Sequence, residues 1–585
     1  MHAGMHAGMH AGMHAGMHGM RAGIVQLPVL AAALAACVTA GCASSPVGAV
    51  RFRNQPPVTA VNDRLDTPNP PRTLPFYRTY YHFNSYYLRA MRGLSLTRPR
   101  RAYAVNALDE VPDSTWFTNR VGKQALTPED IRRGPGERQS PDLHLPWTVK
   151  SAKAGGASIG FVCVDSAGTK FVLKFDKRGE PEYETAADAI VSRLYWAVGY
   201  NVTSDHIVYF KRADLTIDPD ATYKEHGDKL KLTAAYLDER LAHVNVGADG
   251  SIRGLASIYV EGKPVGGMPR LGVRADDPND VIPHELRRDQ RGQAALAAWL
   301  SVSDAKEDQT IDTYVEDPAD PTRHYVKHYL IDFGKSLGVY PKVNKNPFVD
   351  RAYQLDPKEW GLSLITLGLR RQPWEGRIDP GVPGVGMYSA GDYRPDEWKP
   401  NPMAQFPIIL TADRFDQFWG SKQLIQLSRA QIAAAVASAR FTDSRSGAFL
   451  VEQIAQRQRI TAKYWFDRVL PIDEPRVEIV DRAYRLCFAD LAARHGFTSV
   501  PTTYRARAYD RAGRDLGAIA AARVAGPADD GRADRVCLPE LPMARDGDRY
   551  TIYEVTGDRG IPGTSIHLAV DRTTGAPRVI GLHRR

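Results

Sequence analysis

The 585-residue sequence predicts an α+β fold ending in a β-rich module, and three observations carry that expectation. Residues 147–175 alternate apolar and polar positions, as half-buried strands do. Apolar residues then recur at helical spacing over 180–202, with Ala186, Ile190, Leu194 and Ala197 in line and Gly199 at the end. From about residue 475 onward, short strand-like runs alternate with Gly and Asp turns, which reads as a separate sandwich-like module. At 43% hydrophobic and 24% charged, the chain is long enough to bury several cores. The net charge is +9, with Lys and Arg scattered among the acids, so no nucleic-acid partner is expected.

The first residues, "MHAGMHAGMHAGMHAGMHGM", hold four copies of one tetrapeptide and a broken fifth. Met and His at that spacing suit copper or nickel. The repeat also precedes an export signal, which removes it from the mature chain. That signal, "AGIVQLPVLAAALAACVTAGCASS", pairs Arg21 with an apolar run too short to span a bilayer, then small residues ahead of a cysteine. It resembles a bacterial lipoprotein signal. Cys42 is the expected lipidation site and Cys37 the alternative, giving a body anchored to a membrane of the cell envelope.

The organisation expected is a repeat and signal over 1–42, a linker and extension over 43–144, a central domain over 145–472 and the β-rich domain over 473–585. Residues 43–72 are rich in Pro and Asn and read as an extended tether. Residues 75–140 bring many aromatics, among them Tyr80, Tyr81, Tyr86, Tyr87 and Trp116, and 147–177 reads as two strands joined at "DSAG". A helix is expected in "KLTAAYLDERLAHV", a strand in "GLASIYVEGKPVGG" and an amphipathic helix over 283–303. An irregular stretch (340–405) and two further helices follow. Export permits disulfides, and Cys487 and Cys537 fall in the same module and are expected to pair, whereas Cys163 reads as a core residue.

The chemistry concentrates in "SVSDAKEDQTIDTYV" (301–315) and "HYLIDFGKSLG" (328–338). Phosphate transfer to a hydroxyl needs a cover for the phosphates, a cation on them, ligands for Mg²⁺ and a carboxylate at the attacking group. "KAGGASIG" (153–160) offers Gly155 and Gly156 as backbone cover, and Lys174 on the following strand offers the cation. Glu182, Glu184 and Asp188 lie on the next helix, any one of them placed to orient that lysine. Asp304 would act as base, Lys306 as a γ-phosphate contact, and Gln309 and Asp332 as metal ligands. Backbone groups near Glu261 would meet the nucleotide base.

Lys174, "DAKEDQ" and "LIDFGKSLG" together resemble the atypical protein/lipid kinase superfamily, nearest in layout to the HipA-type bacterial kinases. The wider chain is similar to a group of uncharacterised bacterial lipoproteins. The kinase resemblance covers about residues 147–470 and implies a two-lobed protein-kinase-like fold holding ATP and Mg²⁺ in a cleft. It departs from the pattern at Gln309, which stands where the superfamily has Asn, and in its Gly-rich run. Two functions follow: transfer of phosphate to an unknown protein, peptide or polymer acceptor, or a catalytically inactive kinase-like module that binds such a partner. His-Glu-x-x-His does not occur, and a hydrolase has little support.

Overall fold

The computed structural model describes residues 47–77, 81, 100–136, 138–153, 158–340, 344–353, 356–372, 374–400, 407–523 and 534–585. Cys42, Cys37, the repeat, Tyr80, Tyr86 and Tyr87 lie outside these residues. The chain divides into two compact units, Met1–Arg51 and Phe52–Arg585. Everything below concerns the second.

Helix α1 (Pro128–Arg133) opens on a capping box, in which Thr127 Oγ1 accepts from Asp130 N–H and the Asp130 carboxylate accepts from Thr127 N–H. A seven-stranded sheet follows, built from β1 (Trp147–Ala152), β2 (Gly160–Val164), β3 (Lys170–Lys174), β4 (Ser204–Lys211), β5 (Leu215–Glu225), β6 (Asp228–Lys231) and β7 (Ser251–Ile258). Its order is β4-β7-β3-β2-β1-β5-β6, with β1 and β5 parallel and the other pairs antiparallel. The sequence suggested two strands before residue 177, but there are three. At "DSAG", Asp165 Oδ1 accepts from Ala167 and Thr169 N–H, fixing the β2–β3 turn. Trp147, Phe161, Cys163, Phe171 and Leu173 fill one core with Leu237 and Leu241 of helix α3 (Ala234–Leu241).

Helix α2 (Glu184–Val198) connects β3 to β4 and is buried on nearly every side. It stops at Gly199, where φ is +145° and a Cβ would sit 2.4 Å from the Phe117 ring, so only glycine fits. Beyond β7, strands β8 (Lys263–Pro264), β9 (Thr310–Asp317) and β10 (Asp320–Leu330) form a three-stranded sheet. Helices α4 (Arg288–Arg291) and α5 (Gln293–Leu300) precede β9. They correct the single amphipathic helix expected over 283–303, because every residue from Arg288 to Leu300 except Gly292, which caps both, is a buried helical position. The polar face meets buried acids instead of water: Arg288 and Arg291 both pair with Asp416, at 2.8 and 2.6 Å.

Helices α6 (Pro357–Ile365), α7 (Pro407–Leu410), α8 (Arg414–Leu424), α9 (Arg429–Ala437) and α10 (Ser444–Phe466) follow, and all but α6 share a second core with α2 and α5. The C-terminal residues form β11 (Ile472–Val480), β12 (Ala483–Asp490), the short helix α11 (Leu491–Arg494), β13 (Thr503–Asp510), β14 (Asp515–Arg523), β15 (Arg535–Cys537), β16 (Thr551–Gly557), β17 (Thr564–Val570) and β18 (Pro577–Arg584). Two sheets, β11-β12-β15 and β14-β13-β16-β17-β18, enclose a third core around Leu486, Phe488, Tyr504, Tyr553 and Ile566. The fold is thus α+β with a β-rich end.

The tether reading of 43–72 needs correction over its described part. The segment is extended but lies on the body: Phe52 N–H donates to the Tyr550 hydroxyl, Val61 N–H to Asp113 O, Thr67 N–H to His324 O and Arg72 N–H to Asp276 Oδ2, all within 3.0 Å. The β-rich domain is also not set apart. Arg584 of β18 reaches Asp109 at 3.2 Å and Asp473 at 3.0 Å, and Asp109 in turn holds Arg288 at 3.1 Å.

Cys487 and Cys537 face each other across β12 and β15 and are joined as a disulfide, while Cys163 is a buried free thiol. The bridge closes a separation of 50 residues, worth about 4 kcal/mol in the loop-entropy account. Reduction, or Cys487→Ala with Cys537→Ala, is therefore expected to lower the urea midpoint of the β-rich region. An unchanged midpoint under reductant would show that the bridge contributes nothing.

Candidate functional site

Lys174 ends β3 beneath the first turns of α2, and its side chain is 13% exposed. Its Nζ donates to Asp188 Oδ2 and Asp332 Oδ1, each at 3.0 Å. Burial pulls this ammonium down, but Asp188, Asp332 and Asp205 together outweigh it and hold it above the ordinary lysine range. Asp188 accepts a second bond on Oδ1 from Phe333 N–H at 2.9 Å, so both its oxygens are used. Phe333 packs on Tyr195 of α2 with ring centroids 4.8 Å apart. Helix α2 is thereby clamped to the Asp-Phe-Gly turn through one acid and one ring.

Asp332 follows β10 directly and adopts φ +62°, a left-handed conformation that a non-glycine residue keeps only where its surroundings impose it. The Lys174 charge, working against burial and joined by Lys153 and Lys306, holds its carboxyl well below the usual range. Its side chain is 42% exposed against 2% for Asp188, and Oδ2 accepts no hydrogen bond among the described residues. One oxygen is thus committed to Lys174 and the other faces outward.

The "DAKEDQ" segment lies alongside. Lys306 Nζ donates to Asp304 Oδ1 at 2.8 Å and to Gln309 Oε1 at 2.7 Å, and is 3.0 Å from Asp308. The backbone ties this loop to the turn: Ile331 N–H donates to Gln309 O, and Ser303 N–H and Oγ–H donate to Lys335 O. The structure therefore brings Lys174, Asp188, Asp332, Asp304, Lys306 and Gln309 into one neighbourhood.

Two sequence expectations are corrected. Glu184 does not orient Lys174, since its carboxylate pairs with Lys335. Glu182 bonds Thr442 N–H and Oγ–H, on the side of α9 and α10. Glu261 lies on the connection leaving β7, and its side chain turns to Lys327 Nζ at 2.6 Å and the Tyr329 hydroxyl at 3.2 Å. The N–H and C=O groups of Val260 and Glu261 make no hydrogen bond among the described residues, which leaves them open to a ligand edge. Gly155 and Gly156 lie outside the described residues.

Three residues were missed by the sequence reading. Lys153, at the mouth of the Gly-rich run, bonds Ser158 Oγ at 2.9 Å and adds positive charge beside Asp332. Its ammonium is lowered mainly by burial, with Asp332 opposing. Lys335 stands directly after Asp-Phe-Gly, the only signal it offered. Asp205, fully buried on β4, accepts from Ser257 and from Thr203 at 3.0 Å. Burial first, and then the nearby Asp188 charge, push its carboxyl up to about 7.

Comparison with protein-family models, curated protein sequences and solved structures returns no match for this chain.

Two outcomes follow from this geometry. Lys174→Ala takes the cation away from Asp188, whose carboxyl burial already pushes up, so a destabilisation of about 3 kcal/mol is expected, with part recovered in Lys174→Ala/Asp188→Asn. Equal stability of the two variants in chemical denaturation would show that the pair is uncoupled. Asp205 has a folded-state value above its ordinary 3.8. The folded state therefore binds an extra proton between about pH 4 and 7, and that stabilisation is lost as pH rises through 7. The urea midpoint should fall from pH 5 to pH 8 more steeply in the parent than in Asp205→Asn, and parallel slopes would remove this assignment.

Proposed function

We propose that the residues around Lys174 and Asp332 form the nucleotide-phosphate site of a two-lobed, protein-kinase-like domain. One observation carries the reading: Lys174 on the third strand is bonded at once to Asp188 of the following helix and to Asp332 of Asp-Phe-Gly, each at 3.0 Å. A lysine paired to a helix acid and placed against a metal-binding Asp is the arrangement phosphoryl transfer requires. The antiparallel sheet carrying Lys174 would form one lobe and the helices from α4 to α10 the other. The chain between them, at Val260 and Glu261, has open backbone groups of the kind that pair with a base.

The residues fit Mg²⁺ in kind. Mg²⁺ takes one or two carboxylates and completes its shell with water and phosphate oxygens, and Asp332 presents an outward carboxylate oxygen. Asp332 would hold such an ion, whose positive charge would offset the negative charge of the phosphates. Lys174 and Lys153 would hold the phosphates, Lys306 would lie towards the transferred group, and Asp304 would take the acceptor's proton.

One observation favours the second reading, a cleft that binds and does not transfer. Gln309 Oε1 is held by Lys306 Nζ at 2.7 Å and Asp304 is held by the same ammonium. The second metal ligand and the base are both engaged within the protein. The envelope address inferred from the signal also lacks an ATP supply, so the donor there would be another phosphate anhydride or a small nucleotide pool. No helix among the described residues is long and apolar enough to cross a membrane.

Titration of the full chain with ATP or GTP decides between these readings. Mg²⁺-dependent binding is expected, weakened at least tenfold by Asp332→Asn and little changed by Asp304→Asn, which should lose only phosphate transfer. Binding without transfer in the parent supports the second reading. No binding at millimolar nucleotide with Mg²⁺ would remove the nucleotide site and leave a module that binds a partner other than a nucleotide.

A further inference from the structure

Helix α6 and the turn after it carry an apolar surface that the phosphate site does not explain. Trp360 is 57% exposed, and Leu364, Ile365, Leu367, Leu369 and Ile378 are between 76% and 87% exposed. Exposures this high belong to side chains projecting one by one from a convex turn, and six within 19 residues (360 to 378) exceed the scattered apolar residues of an ordinary surface. Leu367 also adopts φ +51°, a left-handed conformation costing roughly 1 kcal/mol in a non-glycine residue. That leucine covers almost nothing of its own chain in return.

We infer that this segment docks on an anionic lipid surface. The charges around it favour that occupant over a second protein. Asp356 is neutralised by Lys399 at 2.7 Å and Glu359 by Arg370 at 3.2 Å. Lys358 and Arg371 are exposed and pair with nothing among the described residues. Glu375 accepts from Gln372 N–H, which leaves its negative charge in place. The apolar tips are thus flanked by two unpaired cations against one unpaired acid, a net positive charge that anionic headgroups complement and a second copy of the same face would repel. Tryptophan at the start of the helix, with leucine and isoleucine beyond it, is the order of an interfacial element, and projecting tips suit a deformable hydrocarbon layer. The chain is also fixed to the body from Phe52 on.

The test uses the full chain in vesicles of phosphatidylglycerol and phosphatidylethanolamine whose acyl chains carry bromine, a short-range quencher of tryptophan. Quenching is expected in the parent, falling at least twofold in Trp360→Phe and in Leu367→Asp/Leu369→Asp, and weakening in vesicles of phosphatidylcholine alone. All three side chains are exposed, so the thermal midpoint should not move. Should the aspartate variant misfold, Trp360→Phe alone still reads the contact. Quenching unaffected by Trp360→Phe overturns the proposal. Self-association of the parent that is lost in Leu367→Asp/Leu369→Asp, with no bromine quenching, overturns it in favour of a second copy.

Discussion

An ammonium withdrawn from water must be met by carboxylates, and Lys174 is the group whose need organises this molecule. It belongs to the sheet, Asp188 to the helix after it, and Asp332 to the turn that follows a hairpin far along the chain. Desolvating one charge costs several kcal/mol unless partners are well placed. The three elements are therefore fixed together or not at all. Phe333 adds a backbone bond to Asp188 and a ring on Tyr195, so that moving Asp332 would also disturb a core contact. The site is thus part of the scaffold and not a decoration upon it.

The same rule, applied elsewhere, joins the β-rich end to the body. Arg584 and Arg288 are each 1% exposed and share Asp109, while Asp473 accepts from both Arg584 and Lys422. Burial first, opposed by Arg288, pushes the Asp416 carboxyl up to about 6, a sign of how dry this junction is. The chain from 106 to 119 runs through it, with Trp116 stacked on His328 and Arg287 above. Ion pairs this dry are strongly destabilising to break one partner at a time, so the β-rich end behaves as a continuation of the body.

How much of this was legible follows from range. Lys174 and Asp332 could be read because strand, helix and hairpin order is local information. Asp188 could not be separated from Glu184: the two lie one turn apart on the same helix face, and only the depth of α2 against β3 chooses between them. The polar residues of 283–303 read as a solvated face because their acids, Asp109, Asp413 and Asp416, lie far away in sequence. Composition showed 43–72 to be extended, but an extended backbone needs partners for its N–H and C=O groups, and the body supplies them. Lys153 went unseen because a lysine beside a Gly-rich run has the look of a solvated residue. Both cysteines of the disulfide fall in one module, which is what made their pairing an expectation.

The charge count around Lys174 sets a condition on any phosphate that would bind there. Lys174, Lys153, Lys306 and Lys335 stand against Asp188, Asp332, Asp304, Asp308, Glu184 and Asp205, so carboxyl groups outnumber ammonium groups and Lys174, Lys306 and Lys335 are already engaged. A phosphate oxygen about 4 Å from the Asp332 carboxylate would be repelled by roughly 4 kcal/mol at an effective dielectric near 20. Protonation cannot relieve this at neutral pH, because Lys174 holds that carboxyl ionised well below the ordinary range. Relief has to come from added positive charge between carboxylate and phosphate, or from Lys174 turning away from Asp188. The second route leaves Asp188, which is 2% exposed, without a cation and costs more than it returns. The ion pairs that hold Lys174 in the fold are therefore the same ones that would make an anionic ligand depend on added positive charge.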